Sequence, residues 1–162
     1  MLYHLTYRSI AIPEITIEQI EQILKNARNF NSKNDVSGCL VFSKGYFIQL
    51  LEGSKDKIMA LMDHIDMDKR HTDIDILSEG EMEKIIFDTW DMAYLKPSEK
   101  MQSDKAIEIK KTLLELTDET VQPDFTFKVF WYNMNGLLTE KGFYTVQSQK
   151  QPKAAYMKYF SK

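Results

Sequence analysis

The hydrophobic pattern between residues 36 and 53 predicts two β-strands joined by a tight turn. Val36–Ser43 and Tyr46–Glu52 are short runs rich in apolar residues, and Lys44-Gly45 lies between them. A two-residue hairpin turn needs positive φ angles, which glycine adopts without steric cost. We therefore predict a hairpin over this stretch, with the rest of the chain folded around it.

Gln49 is a polar residue in the middle of the second predicted strand. Its side chain shares a face with Phe47 and Leu51, because side chains alternate along a strand. Both faces of this strand are largely apolar, as in a central strand that is packed on both sides. A buried amide without partners costs roughly 1–3 kcal/mol, so we expect a polar partner or a ligand on that face.

The remaining pattern predicts helices and further strands on both sides of the hairpin. Thr16 and Gln19 have capping-box spacing, and the apolar residues after them recur at helical intervals. We predict that this first helix ends near Asn29–Asn31, and that Ser54 caps a second helix that ends around Asp66–Arg70. The other predicted strands are Leu2–Ser9, Ile74–Ser78 and Trp90–Leu95.

The order of these elements predicts an α+β fold. A βαββαβ order followed by one more strand suits a ferredoxin-like sheet with both helices on one face. The right-handed crossover rule places strands one and three side by side, so Tyr7 and Gln49 should be neighbours that face the helices. The opposite face is predicted to carry Leu40, Phe42, Ile48 and Leu50. That apolar face must be covered by later sequence or by another subunit.

The chain divides at Pro97 into a first domain, residues 1–97, and a helical extension with a tail, residues 98–162. Ser98–Leu116 predicts a third helix, and Phe125–Leu138 is apolar enough to form a fourth. We expect these helices to cover the second face of the sheet. Residues 140–162 carry five lysines and one acid and are either disordered or a docking segment.

Composition and charge exclude several functional classes. A net charge of −3 gives no general attraction to nucleic acid or to anionic membranes, and no apolar run is long enough to span a membrane. The single cysteine, Cys39, cannot form an internal disulfide, and the N-terminus lacks a signal pattern, so a cytoplasmic location is expected. The absence of a GxGxxG fingerprint and of a Gly-rich anion loop argues against a flavin redox enzyme and an acylphosphatase-like enzyme.

Five short motifs follow one another within residues 1–97. They are YRS at Tyr7–Ser9, ILKNARNFN at Ile23–Asn31, VSGCLVFSKGYFIQLLEG at Val36–Gly53, MDKRH at Met67–His71 and FDTWDM at Phe87–Met92. In this order and spacing the chain resembles the BLUF family, the blue-light sensors that use flavin. The hairpin motif combined with an upstream tyrosine and a downstream W-x-M is the most specific part of the resemblance.

This resemblance implies a flavin cofactor, FAD or FMN, held between the two helices and edge-on to the sheet. It also implies that Tyr7 and Gln49 are photoactive, and that Trp90 and Met92 are switch residues of the fifth strand. The side chains implied to contact the flavin are Tyr7, Ile23, Ala27, Asn31, Gln49, Asp68, Arg70 and His71. Phe30 departs from the family pattern, which usually has a polar residue before the binding asparagine.

The resemblance further implies a blue-light photoreceptor without enzymatic activity of its own. In the family mechanism, light drives electron and proton transfer from Tyr7 to the flavin through Gln49, and hydrogen bonds at the flavin then rearrange. The signal is expected to pass to a separate downstream protein, because residues 98–162 hold no cyclase, phosphodiesterase or helix-turn-helix sequence. We also expect a homo-oligomer, no membrane association and no direct nucleic-acid binding.

The residues alone leave a second function open, a ferredoxin-like binding or oligomerisation module without a chromophore. Such a module predicts that Gln49 is bonded to backbone and that side chains fill the space between the helices. Tyr7 would then be a core residue, and Asn31 a left-handed residue at a helix C-terminus. Arg70 and His71 would be cations that the helix dipole favours near a helix end.

Overall fold

The structure, a computed structural model, describes residues 1–88, 91–97, 101–120 and 126–139. Strands and helices follow one another through these residues in the order that the sequence pattern predicts. The elements are β1 (Leu2–Ala11), α1 (Ile17–Asn34), β2 (Ser37–Ser43), β3 (Tyr46–Ser54), α2 (Lys55–Asp66), β4 (His71–Met82), β5 (Ala93–Leu95), α3 (Asp104–Leu116) and α4 (Phe127–Leu138).

One sheet runs through the described residues in the strand order β4-β1-β3-β2-β5. β1 pairs antiparallel with both β3 and β4, β3 pairs antiparallel with β2, and β5 runs parallel to β2. The predicted α+β, ferredoxin-like architecture with an added fifth strand is therefore confirmed. Because β1 and β3 are central neighbours, side chains at their midpoints can meet beneath the helices.

The β2–β3 hairpin turns at Lys44-Gly45, as predicted. Lys44 has a φ of 50° and Gly45 a φ of 79°, the two positive values that a two-residue hairpin turn of this kind requires. Near the start of β2 the structure requires a glycine at position 38, because a Cβ added to Gly38 would lie 1.9 Å from the carbonyl oxygen of Leu50. Turn and close approach together fix the register of the two strands.

Helix α1 begins as predicted but ends later than predicted. Thr16 and Gln19 form the capping box, and Asp35 closes the helix in the left-handed conformation with a φ of 53°. The predicted end near Asn29–Asn31 is wrong. The asparagine side chains at this end do not unwind the helix, because Asn34 donates back to the Phe30 carbonyl and Asn31 bonds outside the helix. Asn31 is therefore a buried residue of the helix interior.

Two further boundaries depart from the sequence prediction. β4 is longer than predicted because β1 pairs with it from His71 to Met82, through two register shifts that keep the strands together. β5 is shorter, at Ala93–Leu95, and Trp90 lies outside the described residues. Helix α2 ends at Asp66 as predicted. None of the helices in the described ranges is long and apolar enough to cross a membrane.

The helix-side face of the sheet carries the first of two apolar clusters. Leu5, Leu40 and Leu51 from the sheet pack there against residues of α1 and α2 such as Leu24 and Ile58. The prediction that Leu40 and Phe42 face the other way is wrong. Leu40 lies directly opposite Gln49 in the β2–β3 register, and directly opposed residues of antiparallel strands share a face.

The second face of the sheet is covered by α3 and α4, as predicted. Val41, Ile48 and Leu50 form one cluster there with Leu113 of α3 and Trp131 of α4. Trp131 also donates a hydrogen bond from its indole nitrogen to the hydroxyl of Thr6 on β1, at 3.0 Å. The indole therefore fills the core and satisfies a buried hydroxyl at the same time.

Glu52 is a fully buried carboxylate on β3. One of its oxygens accepts from the backbone N–H of Ile86 at 2.8 Å, and the other accepts from that of Phe87 at 2.9 Å. Two N–H donors on one carboxylate offset the loss of water around the charge. Glu52 thereby ties the connection after β4 to the centre of the sheet.

The outer edge of the sheet is formed by β4, which has β1 on one side only. Four acidic residues lie on this strand, together with no lysine or arginine. All four are exposed: Asp73, Asp75, Glu79 and Glu81. Asp75 is ion-paired with Arg8 at 2.9 Å, and the other three carboxylates give this edge a net negative charge.

Candidate functional site

Tyr7 and Gln49 lie directly opposite each other in the β1–β3 ladder. Both are buried, and the Tyr7 hydroxyl donates a hydrogen bond to Oε1 of Gln49. The other end of the amide is also engaged, because Nε2 of Gln49 donates to Sδ of Met92 at 3.7 Å. The polar partners expected for Gln49 are thus a phenol and a thioether, both from side chains rather than backbone.

Burial raises the pKa of the Tyr7 hydroxyl above its ordinary value, and the negative charge of Asp68 raises it further. A phenol so placed keeps its proton throughout the neutral range. Tyr7 is therefore held as a hydrogen-bond donor, with its proton directed at Gln49.

A cavity of about 380 Å³ lies between α1, α2 and the helix-side face of the sheet. Its volume falls within the roughly 300–1,000 Å³ that is typical of small-molecule sites. Every predicted flavin contact except Asn31 lines it, namely Tyr7, Ile23, Ala27, Gln49, Asp68, Arg70 and His71. The space between the helices is therefore open and has a few polar groups on mainly apolar walls.

The cavity has further lining residues that the sequence analysis did not assign to a site. They are Asn26, Phe30, Leu40, Phe47, Leu61, His64 and Ile65. Spacing on α2 held a usable signal, because His64 and Ile65 follow Leu61 at three and four residues, on one helix face. Phe30, the departure from the family pattern, contributes an apolar ring to the α1 side.

Asn31 is fully buried beside the cavity rather than on its lining. Its Nδ2 donates to the backbone carbonyl of Asp91 at 2.6 Å. Its Oδ1 is buried and has no hydrogen-bond partner among the residues that the structure describes. A buried acceptor without a donor is unfavourable by about 1–3 kcal/mol, so this atom suits a ligand that offers an N–H.

Asp68 and Arg70 form an ion pair at the rim of the cavity. The Arg70 side chain donates to both carboxylate oxygens, with the shortest contact at 2.6 Å, and the Arg70 backbone N–H donates to the same group. These hydrogen bonds lower the pKa of Asp68, against the opposing effect of partial burial. The pair therefore presents a fixed anion and a fixed cation to any ligand at this end.

His71 is oriented by hydrogen bonds at both ring nitrogens. Nε2 lies 2.7 Å from the carbonyl of Ile65 and must donate to it, because a carbonyl oxygen only accepts. Nδ1 lies 2.7 Å from the Ser9 hydroxyl, and the ring meets Phe47 edge-on at 6.2 Å between centroids. The imidazole can therefore touch a ligand through its ring edge or face, with its nitrogens used by the protein.

The two predicted switch residues have different outcomes. Met92 is fully buried and brings its sulfur to Gln49. Trp90 lies outside the described residues. Of the predicted site, the structure thus brings together the tyrosine, the glutamine and the methionine, and the first two line the cavity.

The features of the site agree better with a flavin-binding domain than with a module that has no chromophore. A flavin has a flat ring with apolar edges and several polar atoms, and the cavity offers apolar walls with the amide of Gln49 and the Asp68–Arg70 pair. The orphaned Oδ1 of Asn31 lies buried outside the lining residues and is a further unsatisfied acceptor. A module without a ligand predicts a filled gap and a glutamine bonded to backbone, and neither is observed.

Comparison with curated proteins gives relatives among light-regulated proteins. The chain is 35% identical over 74 residues to the blue light- and temperature-regulated antirepressor BluF of Escherichia coli (strain K12), a match that covers 46% of this chain and 18% of that protein. It is 30% identical over 83 residues to photoactivated adenylate cyclase subunit beta of Euglena gracilis, covering 51% of this chain and 10% of that protein. The match thus spans less than a fifth of either relative.

Solved structures extend the similarity over more of the chain. The photo-activated state of BlsA matches with a TM-score of 0.67 and 26% identity, covering 86% of this chain and 96% of that one. A bacterial light-regulated adenylyl cyclase matches with a TM-score of 0.63 and 29% identity, covering 72% of this chain and 34% of that one. The dark-state structure of BlrB, a BLUF protein, shares the fold with a TM-score of 0.69 and 23% identity, covering 85% of this chain and 97% of that one.

A family model described as "BLUF: Sensors of blue-light using FAD" matches residues 2–93. That range contains the strands and helices that enclose the cavity, with Tyr7, Gln49 and Met92. The chain therefore belongs to the BLUF family of blue-light sensors, whose cofactor is a flavin.

Proposed function

We propose that this protein is a blue-light photoreceptor in which Tyr7, Gln49 and Met92 convert light absorption into a change of hydrogen bonding. The observation that carries this proposal is the continuous line from the Tyr7 hydroxyl through the Gln49 amide to the Met92 sulfur. Tyr7 and Gln49 both line the cavity in which a flavin, FAD or FMN, would lie.

The flavin would be held between apolar side chains of the two helices. Ile23 and Ala27 of α1 lie on one side of the cavity, and Leu61 and Ile65 of α2 lie on the other. The polar contacts would come from Gln49, from Oδ1 of Asn31, and from Asp68, Arg70 and His71 at the α2 end of the site. When bound, the flavin is the chromophore, and it becomes a strong oxidant on absorbing blue light.

Tyr7 has the chemistry that such an oxidant requires of its surroundings. A phenol can give up an electron and a proton together, and burial keeps the Tyr7 proton in place until then. Gln49 accepts the hydrogen bond from that hydroxyl, so the proton has a defined path along the amide. Water does not compete for this path, because both side chains are buried.

The Gln49 side chain can remain in an altered hydrogen-bonding arrangement after light absorption. Its amide has a donor at one end and an acceptor at the other, so rotation or tautomerisation exchanges what it presents to Tyr7 and to Met92. A hydrogen bond that Nε2 gives to Met92 in one arrangement would be lost in the other. The altered amide would bias the position of Met92 and hence of β5.

We further propose that residues 1–97 act as the sensor and residues 98–162 as the relay to a separate downstream protein. α3 and α4 pack on Ile48 and Leu50, which flank Gln49 in sequence on β3. Among the relatives, BluF is named an antirepressor and the Euglena proteins are named adenylate cyclase subunits. The protein itself would be a homo-oligomer without enzymatic activity, membrane attachment or nucleic-acid binding, in the cytoplasm.

The proposal is tested by absorption spectroscopy of the protein purified with, or reconstituted with, FAD or FMN. We expect a yellow protein whose flavin bands shift reversibly to longer wavelength after blue light and return in darkness. Free flavin under the same illumination is the control. A protein that binds neither flavin, or one that binds flavin without a reversible shift, would contradict the proposal.

A further inference from the structure

Helix α1 holds two consecutive backbone carbonyls just before β5. Arg28 donates from Nε to the carbonyl oxygen of Met92 at 3.1 Å. Asn31, three residues further along the same helix face, donates from Nδ2 to the carbonyl of Asp91 at 2.6 Å. We call Arg28 and Asn31 together the α1 clamp.

The Arg28 bond is strong for a side-chain contact with backbone. The guanidinium is charged and half-buried, and a charged donor forms a stronger hydrogen bond than a neutral one. Burial lowers the pKa of Arg28, while the nearby carboxylate of Asp91 acts in the opposite direction. The group stays charged because arginine begins from a very high pKa.

The residue that Arg28 holds is also the residue that Gln49 contacts. Met92 gives its carbonyl to Arg28 and its sulfur to Nε2 of Gln49. A methionine side chain has three rotatable bonds and can adopt many positions. A fixed backbone therefore limits where the sulfur can lie and whether Gln49 can reach it.

We propose that Arg28 is a positioning residue that holds the Met92 backbone, so that the sulfur of Met92 stays within reach of Gln49. In the light, the hydrogen bond from Arg28 to the Met92 carbonyl weakens and β5 loosens. The inference rests on the proposed role of Gln49. The inference adds a residue of α1 to the proposed signalling path. Arg28 is half-exposed, and it lies on the face of the sheet opposite to α3 and α4. A change in the hydrogen bonding of Gln49 would thus alter the contacts of α1 as well as the position of β5.

The first experiment compares Arg28→Met with Lys25→Met, a matched change at an exposed position of α1. Hydrogen exchange of the backbone amides of residues 91–97 is measured with flavin bound, in darkness and under blue light. For Arg28→Met we expect about tenfold faster exchange in darkness, as for the loss of one hydrogen bond. We also expect a reduced light–dark difference, with the flavin red shift retained. Lys25→Met should match the wild type.

The outcomes separate this inference from the proposed function. Wild-type protein without a red shift would refute the photoreceptor proposal, while the dark exchange rates would still test the positioning role. Arg28→Met with wild-type exchange in darkness and light would overturn the inference. Arg28→Lys, which keeps a charged donor, should recover part of the protection.

A second measurement needs no variant. The Nε–H resonances of Arg28 and Arg8 are followed by NMR in the flavin-bound wild-type protein before and after illumination. Arg8 is the control, because its guanidinium bonds to Asp75 and to the carbonyl of Leu116 on the other side of the sheet. We expect the Arg28 signal to shift with the flavin red shift and the Arg8 signal to remain. An unmoved Arg28 signal would overturn the inference even if Arg28→Met failed to fold.

Discussion

The hydroxyl of Tyr7 and the amide of Gln49 meet across two adjacent central strands, directly opposite each other in the β1–β3 ladder. The contact is buried on one wall of an open cavity between two helices. A pair held by backbone register changes little when neighbouring loops move. The site therefore combines a donor–acceptor pair set by strand register with a methionine in the segment just before the short strand β5.

Removal of the Tyr7 hydroxyl tests the donor. We expect Tyr7→Phe to keep flavin bound and to lose the reversible red shift, because the electron and proton source is gone. Gln49 then loses a hydrogen-bond partner, and we expect the free energy of unfolding to fall by about 1–3 kcal/mol. The measurements are the light-minus-dark absorption spectrum and a chemical denaturation curve.

Tyr3→Phe is the matched control for that variant. Tyr3 lies on the same strand and face, and its hydroxyl donates to Glu79 at 2.8 Å, away from the cavity. Tyr3→Phe should keep the full red shift. An unchanged red shift in Tyr7→Phe would remove Tyr7 from the mechanism.

Replacement of the Gln49 amide tests the relay. Gln49→Leu has a similar size but neither donor nor acceptor, so Tyr7 and Met92 can no longer be linked through it. We expect flavin to remain bound, because the apolar walls are intact, and the normal red shift to disappear. Gln22→Leu, at an exposed position of α1, is the control. A normal photocycle in Gln49→Leu would refute the relay role.

The Asp68–Arg70 pair predicts a pH-dependent contribution to stability. Hydrogen bonds from Arg70 hold the pKa of Asp68 below its ordinary value of 3.8. A lowered pKa in the folded state means that the pair stabilises the protein above the unfolded-state pKa, and that this stabilisation is lost as the pH falls through the folded-state pKa.

We therefore expect Asp68→Asn to lower the free energy of unfolding at pH 7 by up to about 1 kcal/mol, since the pair is only partly buried. The difference from wild type should shrink as the pH falls below 3.8 and through the lowered pKa of Asp68. Denaturation curves at several pH values measure it. Asp66→Asn, at an exposed position of α2, is the matched control. A difference that grows in acid would contradict the assignment.

Truncation tests the role of the C-terminal helices. A chain that ends after Pro97 lacks α3 and α4 and exposes the apolar face that includes Val41, Ile48 and Leu50. We expect it to associate or precipitate, because an apolar face of this extent is unstable in water. Light scattering after size-exclusion chromatography measures the mass. A chain that ends after Thr139 keeps both helices and should behave like the full chain; a soluble monomer of residues 1–97 would show the covering role to be wrong.

The hairpin and the central strand pair could be predicted because short-range patterns determine them. Lys44-Gly45 specifies the turn, and the element order specifies which strands are neighbours. The face that Leu40 occupies follows from the same turn. A two-residue loop at Lys44-Gly45 pairs Leu40 with Gln49, so the prediction that placed these two residues on opposite faces did not agree with the predicted turn.

Partners distant in sequence account for the rest. Asn31 stays helical because its amide bonds to a carbonyl 60 residues away, and the same contact links α1 to the start of β5. Glu52 bonds to the N–H groups of Ile86 and Phe87, a connection that composition does not signal. A sequence pattern records which residues are apolar or polar, but it does not record which distant backbone groups they satisfy.

The negative outer strand also affects how copies of this sensor can meet. If two copies approached through β4, carboxylates on one would lie near carboxylates on the other, and like charges across strands oppose pairing. Edge-to-edge pairing of sheets through β4 is therefore disfavoured, most strongly at low ionic strength, where screening of the charges is weak. Any pairing of two copies through their β4 edges would have to overcome this repulsion.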